Sequence, residues 1–262
     1  MDMVKNEMKD VLFSIIVPSY NQGGFIAQTI DSILNQSYKN VEILVIDGGS
    51  TDSTIDVLKK YGDRIFWLSE TDRGQTHAIN KGLALAKGDI VTFINSDDYY
   101  LERTLEKVVQ QFQLNKKKLW LTGDYIIVNE EGERIQPLVT MYKSFFRRFL
   151  SFNLLTVLNP VNQPSTFFKK ELIVKLENFR EELHYTMDYE FFLRAIKIDR
   201  PIVINDKLSA FRIHKQSKGG SQYIIQFKEE FSVAKEYQKN KFLIFLHLIH
   251  YKLINLIYGI VK

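Results

Sequence analysis

Phe13-Ser14-Ile15-Ile16-Val17-Pro18, followed at once by Ser19-Tyr20-Asn21, decides the reading of this chain. A short β-branched run ended by proline reads as a buried strand. Asn21 to Gly24 then makes a turn, and Phe25, Ile26, Ile30, Ile33 and Leu34 recur at helical spacing. The same succession repeats downstream. Val41 to Ile46 is a second strand, with Asp47-Gly48-Gly49-Ser50 as the loop at its end. Asp52 is a good N-cap for a helix reaching Tyr61. Residues 65–68 read as a third strand, and 75–86 as a helix stopped by Gly88. Asp89 to Ile94 is a fourth strand. Asn95-Ser96-Asp97-Asp98 follows directly, then a helix over 101–114. Strand–helix alternation with short connections predicts an α/β fold with a parallel, mostly buried sheet flanked by helices. Ligands of such sheets gather at the carboxyl ends of the strands. Three polar clusters fall there: Ser19-Tyr20-Asn21, Asp47-Gly48-Gly49 and Asn95-Ser96-Asp97-Asp98.

The pattern changes after residue 118. Residues 119–122 and 125–128 read as strands, 129–132 as a hairpin turn and 134–138 as a further strand. Ser144 to Leu155 is apolar and basic. Residues 165–168 read as a strand, 169–176 as a short helix, and 185–198 as a helix carrying Asp188 and Glu190. Residues 201–205 and 208–213 read as two short strands. No repeat appears, and no linker separates two independent domains.

The 262 residues fit one large domain, or one domain with an appendage. The absence of cysteine excludes disulfides, Cys-ligated zinc, iron–sulfur clusters and a thiol nucleophile, and is compatible with the cytoplasm. With 45% hydrophobic and 25% charged residues the chain is neither disordered nor of low complexity. Lys plus Arg (35) barely exceeds Asp plus Glu (31), which gives no reason to expect a nucleic-acid partner. Residues 1–10 mix both signs and read as a frayed leader, not a signal peptide.

Lys241 to Lys262 is the most apolar stretch. At about 100° per residue, Lys241, Lys252, Asn255, Gly259 and Lys262 share a narrow stripe. Lys252 near the centre would cost roughly 2.5–3.5 kcal/mol in a bilayer. The stretch reads as an amphipathic helix lying in a membrane interface, or as one docked on protein. Residues 223–240 read as a more polar helix leading into it. The tail carries Lys228, Lys235, Lys239, Lys241, Lys252 and Lys262 against Glu229, Glu230 and Glu236, so most of the positive surplus sits there.

Adjacent carboxylates after a buried strand suit a hard divalent cation whose shell is finished by phosphates. The chain has no P-loop, no Gly-x-Gly-x-x-Gly after the first strand and no Gly-x-Ser-x-Gly elbow. The ordered set is Val17-Pro18-Ser19-Tyr20-Asn21, Asp47-Gly48-Gly49-Ser50-Thr51-Asp52, Glu70 to Gln75, Asn80-Lys81-Gly82 with Gly88-Asp89, and Asn95-Ser96-Asp97-Asp98. It resembles the nucleotide-sugar half of family-2 inverting glycosyltransferases with a GT-A fold. Gln163 to Lys170, Met187-Asp188-Tyr189-Glu190 and Phe211-Arg212-Ile213-His214 resemble the second half less tightly. The resemblance spans about residues 11–216. It implies a nucleotide-sugar-binding half over 11–118, an acceptor-binding half over 119–216 and a helical tail over 217–262.

The resemblance also implies roles. Tyr20 would lie against the donor base, presented by the turn that Pro18 shapes, and Asp47 would accept a hydrogen bond from the base. Asn21, Asp72, Asn80, Lys81, Asn95 and Ser96 would complete the donor site. Arg73, Lys81 and Arg212 are readable either as diphosphate contacts or as structural cations. Asp97 and Asp98 would hold Mg²⁺ or Mn²⁺ against the diphosphate, with His214 as a third ligand or as a plain loop histidine. Asn95 stands where the family often has Asp, which leaves the metal site one charge weaker. Asp188 would be the base that deprotonates the acceptor hydroxyl, although Met187 replaces the usual Glu before it. Glu190 is a second candidate. Gln163, Ser165 and Arg212 would face the acceptor. Lys143, Arg147 and Arg148, interleaved with Phe145, Phe146 and Phe149, suit a membrane headgroup region or a lipid-linked acceptor, and equally an ordinary packed helix. The resemblance thus implies a cytoplasmic-side enzyme, peripheral on the plasma membrane, that moves one sugar from a UDP-linked or related donor to a lipid-linked saccharide. A metal-dependent nucleotidyltransferase and a non-catalytic nucleotide-sugar-binding module are the alternatives.

Overall fold

The computed structural model describes residues 11–215, 217 and 223–261, with the side chains of 223 and 256–261 left aside. The leader read over residues 1–10 lies outside the described residues. The first half runs β1 (Phe13–Ser19), α1 (Ile26–Leu34), β2 (Val41–Asp47), α2 (Thr54–Lys59), β3 (Phe66–Ser69), α3 (Gln75–Leu85) and β4 (Ile90–Phe93). It continues through β5 (Tyr99–Tyr100) and α4 (Thr104–Leu114). The second half holds β6 (Trp120–Val128), β7 (Arg134–Ile135), α5 (Pro137–Arg147), α6 (Phe152–Leu155), β8 (Thr166–Lys169), α7 (Lys170–Leu176), α8 (Met187–Ile198) and β9 (Ile202–Arg212). Two helices end it, α9 (Tyr223–Tyr237) and α10 (Lys241–Val261).

Among the described residues the strands form one sheet in the order β3-β2-β1-β4-β8-β6-β9-β5, with β7 on β6. The first four are parallel, as the alternation predicts. Beyond β4 the sheet is mixed: β8 runs antiparallel to β4 and β6, and β9 parallel to β6. Strand β1 is buried from end to end, which explains its unbroken apolar run. Phe13, Ile15 and Val17 meet Ile26, Ile30 and Ile33 of α1 and Leu105 and Val108 of α4. Ile16 faces the opposite layer, with Ile79, Trp120, Phe168 and Phe192. Helix α3 approaches that face closely because Gly82 has no side chain; a Cβ there would lie 2.4 Å from Ile16.

The second half departs from the sequence reading in three places. Trp120–Val128 forms one strand, broken in register around Gly123, where a Cβ would strike Leu208. Residues 202–212 likewise form one strand, whose exposed Asn205-Asp206-Lys207 lies opposite that bulge. The strand expected over 134–138 stops at Ile135, because Pro137 takes the first position of a helix, where its missing N–H costs nothing.

The tail is docked along part of its length. Val233 and Ala234 of α9 belong to the same core cluster as Met187 and Tyr189. His247 of α10 is buried, its Nδ1 2.8 Å from the Thr156 carbonyl oxygen, and the His250 ring stacks on Tyr142 of α5. Among the described residues no helix is long and apolar enough to cross a membrane. The outer side of α10 presents Phe242, Phe245, Ile249 and Leu253 to solvent.

Candidate active site

The crevice opens where β1 and β4 part. Their last paired residues are Ile16 and Phe93. The Ile94 N–H donates to the Ile16 carbonyl, and two residues on Pro18 faces the same side without an N–H to offer. Proline is tolerated here because the ladder has already ended. Tyr20 stands just past the strand, 61% exposed. Asn21, with a positive φ of 53°, turns the chain back. Its side-chain oxygen accepts from the Thr51 N–H at 2.9 Å, and its own N–H donates to Ser50 Oγ at 2.7 Å. The first and second loops are thereby stitched together.

Asp47 ends β2 fully buried. Oδ2 accepts from the N–H groups of Gly49 and Ser50 and from Ser69 Oγ, and Oδ1 from Ser50 Oγ. Its carboxylate organises the loop after β2. Asp72 lies against Gly48, whose missing Cβ would come within 3.0 Å of the Asp72 carboxylate. Asp72 Oδ1 also accepts the Gly74 N–H ahead of α3.

The tip after β4 distributes its residues by depth. Thr29 Oγ1 donates to the carbonyls of Ser96 and Asp98 from beneath. Asp98 is 1% exposed and accepts the Arg212 N–H at 2.8 Å and Asn95 Nδ2 at 3.2 Å. Burial, and then the negative charge of Asp97, hold its carboxyl well above the usual range. Asp97 instead turns to His214, with Oδ2 3.0 Å from Nε2. The two are 117 residues apart in the chain and meet because β9 delivers His214 beside the tip. Asn95 Oδ1 accepts from Gln75 Nε2 at 2.6 Å, which joins the tip to the start of α3.

Asp188 is the second residue of α8 and half-buried, with Oδ1 accepting its own Tyr189 N–H. The loop leading into α8 is fastened to the loop after β3 and to the first turn of α3: Arg73 pairs with Glu181 at 2.7 Å, and Thr76 Oγ1 donates to the Leu183 carbonyl at 3.3 Å. This brings the start of α8 to the carboxyl-end side of the sheet.

Other candidates are placed as scaffold. Asn80 exchanges hydrogen bonds with the Phe179 backbone in both directions, and Lys81 pairs with Glu70. Gln163 is buried and donates to the Phe93 carbonyl. Ser165 Oγ donates to the Asp124 carbonyl and meets Ser209 Oγ at 2.6 Å. Arg212 is buried and braces the tip, donating to the carbonyls of Asp97, Asn129 and Glu130 and to Gln28. None of Asn80, Ser165 and Arg212 is turned outward to a ligand. Glu190 is fully buried, paired with Arg194 and the Tyr237 hydroxyl, and cannot reach an acceptor. Arg147, for which the sequence left a headgroup contact and an ordinary packed helix as alternatives, is turned inward onto Asp124 and the Pro160 carbonyl. The sequence reading missed Gln75 and Thr29 as supports of the tip, since a polar residue on a helix carries no local sign of what it will reach.

The sequence profile of Glycosyl transferase family 2 matches residues 14–174. An uncharacterized glycosyltransferase of Haemophilus influenzae is 34% identical over 221 residues, covering 81% of this chain and 83% of the relative. The chain belongs to glycosyl transferase family 2. Its fold is that of Staphylococcus aureus TarS 1-349, crystallised with UDP-GlcNAc. The TM-score is 0.66 at 22% identity, over 86% of this chain and 66% of that one. The mannosyltransferase PcManGT of Pyrobaculum calidifontis, solved with GDP-Man and Mn²⁺, gives a TM-score of 0.65 at 19% identity, over 90% and 68%. In a longer TarS structure the chain spans 42% of the protein.

Proposed function

We propose that this glycosyltransferase moves one sugar from a nucleotide-diphosphate donor, with UDP as the nucleotide, to an acceptor hydroxyl with inversion at the anomeric carbon. The observation that carries the reading is the meeting of Asp97 and His214 at the tip after β4, the strand that neighbours β1, past whose end Tyr20 stands exposed. Tyr20 offers its ring face to the base, and the Asp47 loop with Asn21 and Asp72 receives the nucleoside. Asp188 takes the proton from the acceptor oxygen as that oxygen attacks, and the nucleoside diphosphate leaves from the opposite side.

A carboxylate oxygen and an imidazole nitrogen 3.0 Å apart are donors that fit Mg²⁺ or, better for the nitrogen, Mn²⁺. Among the described residues no three acidic or histidine side chains converge, so the donor phosphates would complete the shell. Such an ion supplies neutralisation of charge on the departing diphosphate. Asp98, turned inward, supports this pair instead of adding a third ligand.

The acceptor in this reading is a lipid-linked saccharide in cell-surface glycan synthesis, met at the inner face of the plasma membrane. The outward apolar side of α10, between Lys241 and Lys252, supports the membrane surface as a partner. UDP-, GDP- and dTDP-sugars assayed with Mn²⁺ or Mg²⁺ test the donor, since one structural neighbour holds UDP-GlcNAc and another GDP-Man. We expect turnover of a UDP-sugar, a loss of about 100-fold or more in Asp188→Asn with UDP still bound, and loss of metal-dependent nucleotide binding in Asp97→Ala. Wild-type transfer by both variants would overturn the mechanism. UDP binding without turnover of any sugar would instead make the protein a binding module.

A further inference from the structure

Helix α8 begins without a cap of its own. Its N-cap residue, Thr186, makes no side-chain bond to the first-turn N–H groups, and the opening turn of a helix leaves donors that need partners. The turn that enters it is held from another part of the chain. Glu229 of α9 accepts the Tyr185 N–H and the Thr186 hydroxyl on Oε2, both at 2.8 Å, and the His184 N–H on Oε1 at 3.2 Å. Both carboxylate oxygens are therefore spent on residues 184–186, two positions before Asp188. Hydrogen bonds to an ionised acceptor are roughly twice as strong as neutral ones, so three of them fix this turn firmly.

We propose that Glu229 is a positioning residue for Asp188: the penultimate helix of the chain holds the turn that aims the base. The proposal rests on the reading of Asp188 as the base. It goes beyond holding the fold together, because α9 is anchored independently of Glu229. Val233 and Ala234 are buried in the core, Glu236 pairs with Arg180 at 2.7 Å, and the Tyr237 hydroxyl bonds Glu190 within α8. Those contacts keep α9 against α8 when the Glu229 carboxylate is removed. What changes is the orientation of residues 184–188, and a misplacement of about 1 Å at a reacting group can cost on the order of 100-fold in rate. A glutamine could keep Tyr185 and Thr186 on its amide oxygen, but its NH₂ would then face the His184 N–H, and the negative charge that strengthens all three bonds would be gone.

The test is steady-state transfer by Glu229→Gln, Glu229→Asp and Asp188→Asn in the full chain, with UDP affinity measured by calorimetry. We expect Glu229→Gln to lower kcat about 10- to 100-fold while donor KM and UDP affinity stay within about twofold. Glu229→Asp, which keeps the charge, should recover part of kcat. Should Glu229→Gln not fold, Thr186→Val removes one donor of the clamp and is judged by the same criteria. Wild-type kcat in the glutamine variant, with Asp188→Asn inactive, overturns the positioning role and leaves the base assignment intact. Equal losses of kcat and UDP affinity also overturn it, by reducing Glu229 to a general support. Wild-type kcat in Asp188→Asn overturns the base assignment itself.

Discussion

Asp97 and Asp98 are adjacent, chemically identical and given opposite tasks by depth. Asp98 sits under the tip as the acceptor for the Arg212 N–H, while Asp97 reaches His214. Removing a buried acceptor leaves its donor unpaired, at a cost of about 1–3 kcal/mol. Asp98→Ala should therefore lower the unfolding free energy by about that amount, read by urea titration, with Arg212 left to find water. Asp97→Ala, at a site partly open to solvent, should cost less stability than Asp98→Ala and remove the metal dependence of nucleotide binding. The reverse pattern would assign the two carboxylates the other way round. Sequence alone placed both at a strand tip, where ligands gather. It had no means of ranking them, because depth is decided by Arg212, which arrives from β9. Arg147 illustrates the same limit: interleaved with phenylalanines it reads equally as a headgroup contact or as part of a packed helix, and its partner Asp124, on β6, decides for packing.

At the scale of elements, β1 to β4 were legible because β1, β4 and most of β2 are buried apolar runs and short helices alternate with the strands; β3, at the edge, is the least buried of the four. The second half was less so. The Gly123 bulge cuts one strand into two apparent ones, and Pro137 is compatible with the end of a strand as well as the start of a helix. The contact between α8 and α9 was not legible at all, since it joins two helices that each look amphipathic on their own. It also carries a pH dependence. Glu230, next to Glu229, is buried, and its carboxyl is pushed up to about 7 by burial, with Asp188 raising it further and Lys143 opposing. Between the ordinary carboxyl range and about pH 7 the native chain holds a proton that the unfolded chain releases. The stability this proton provides is complete at low pH and is lost as pH rises through about 7. Glu230→Gln should therefore be more stable than the wild type at about pH 8 and lose the advantage by about pH 5, in parallel urea titrations. A difference that stays constant across that range would show that Glu230 is not protonated in the folded chain.

The whole molecule combines the candidate site at the carboxyl ends of β1, β2 and β4 with a second surface built by α5 and α10. The two helices touch through the stacked rings of Tyr142 and His250. Leu138, Met141 and Phe145 of α5, Phe149 just beyond it, and Phe242, Phe245, Ile249 and Leu253 of α10 are all exposed. Both rows recur at helical spacing, and both helices also have inward anchors, Arg147 on Asp124 and His247 on Thr156. The sequence reading set membrane contact and docking on protein as alternatives for the tail. The structure docks one side of α10 and leaves the other side apolar and open. We expect the protein to co-sediment with vesicles containing anionic lipid, more weakly with neutral ones, and less at high salt, because Arg148, Lys241 and Lys252 are exposed beside the apolar rows. A buried phenylalanine contributes about 1.5–3 kcal/mol, so Phe145→Glu and Phe245→Glu should each weaken vesicle binding by roughly tenfold or more. Neither lies at the crevice, so turnover of donor with a soluble acceptor should persist in both. Vesicle binding unaffected by either substitution would remove the membrane from this surface and leave it to a protein partner.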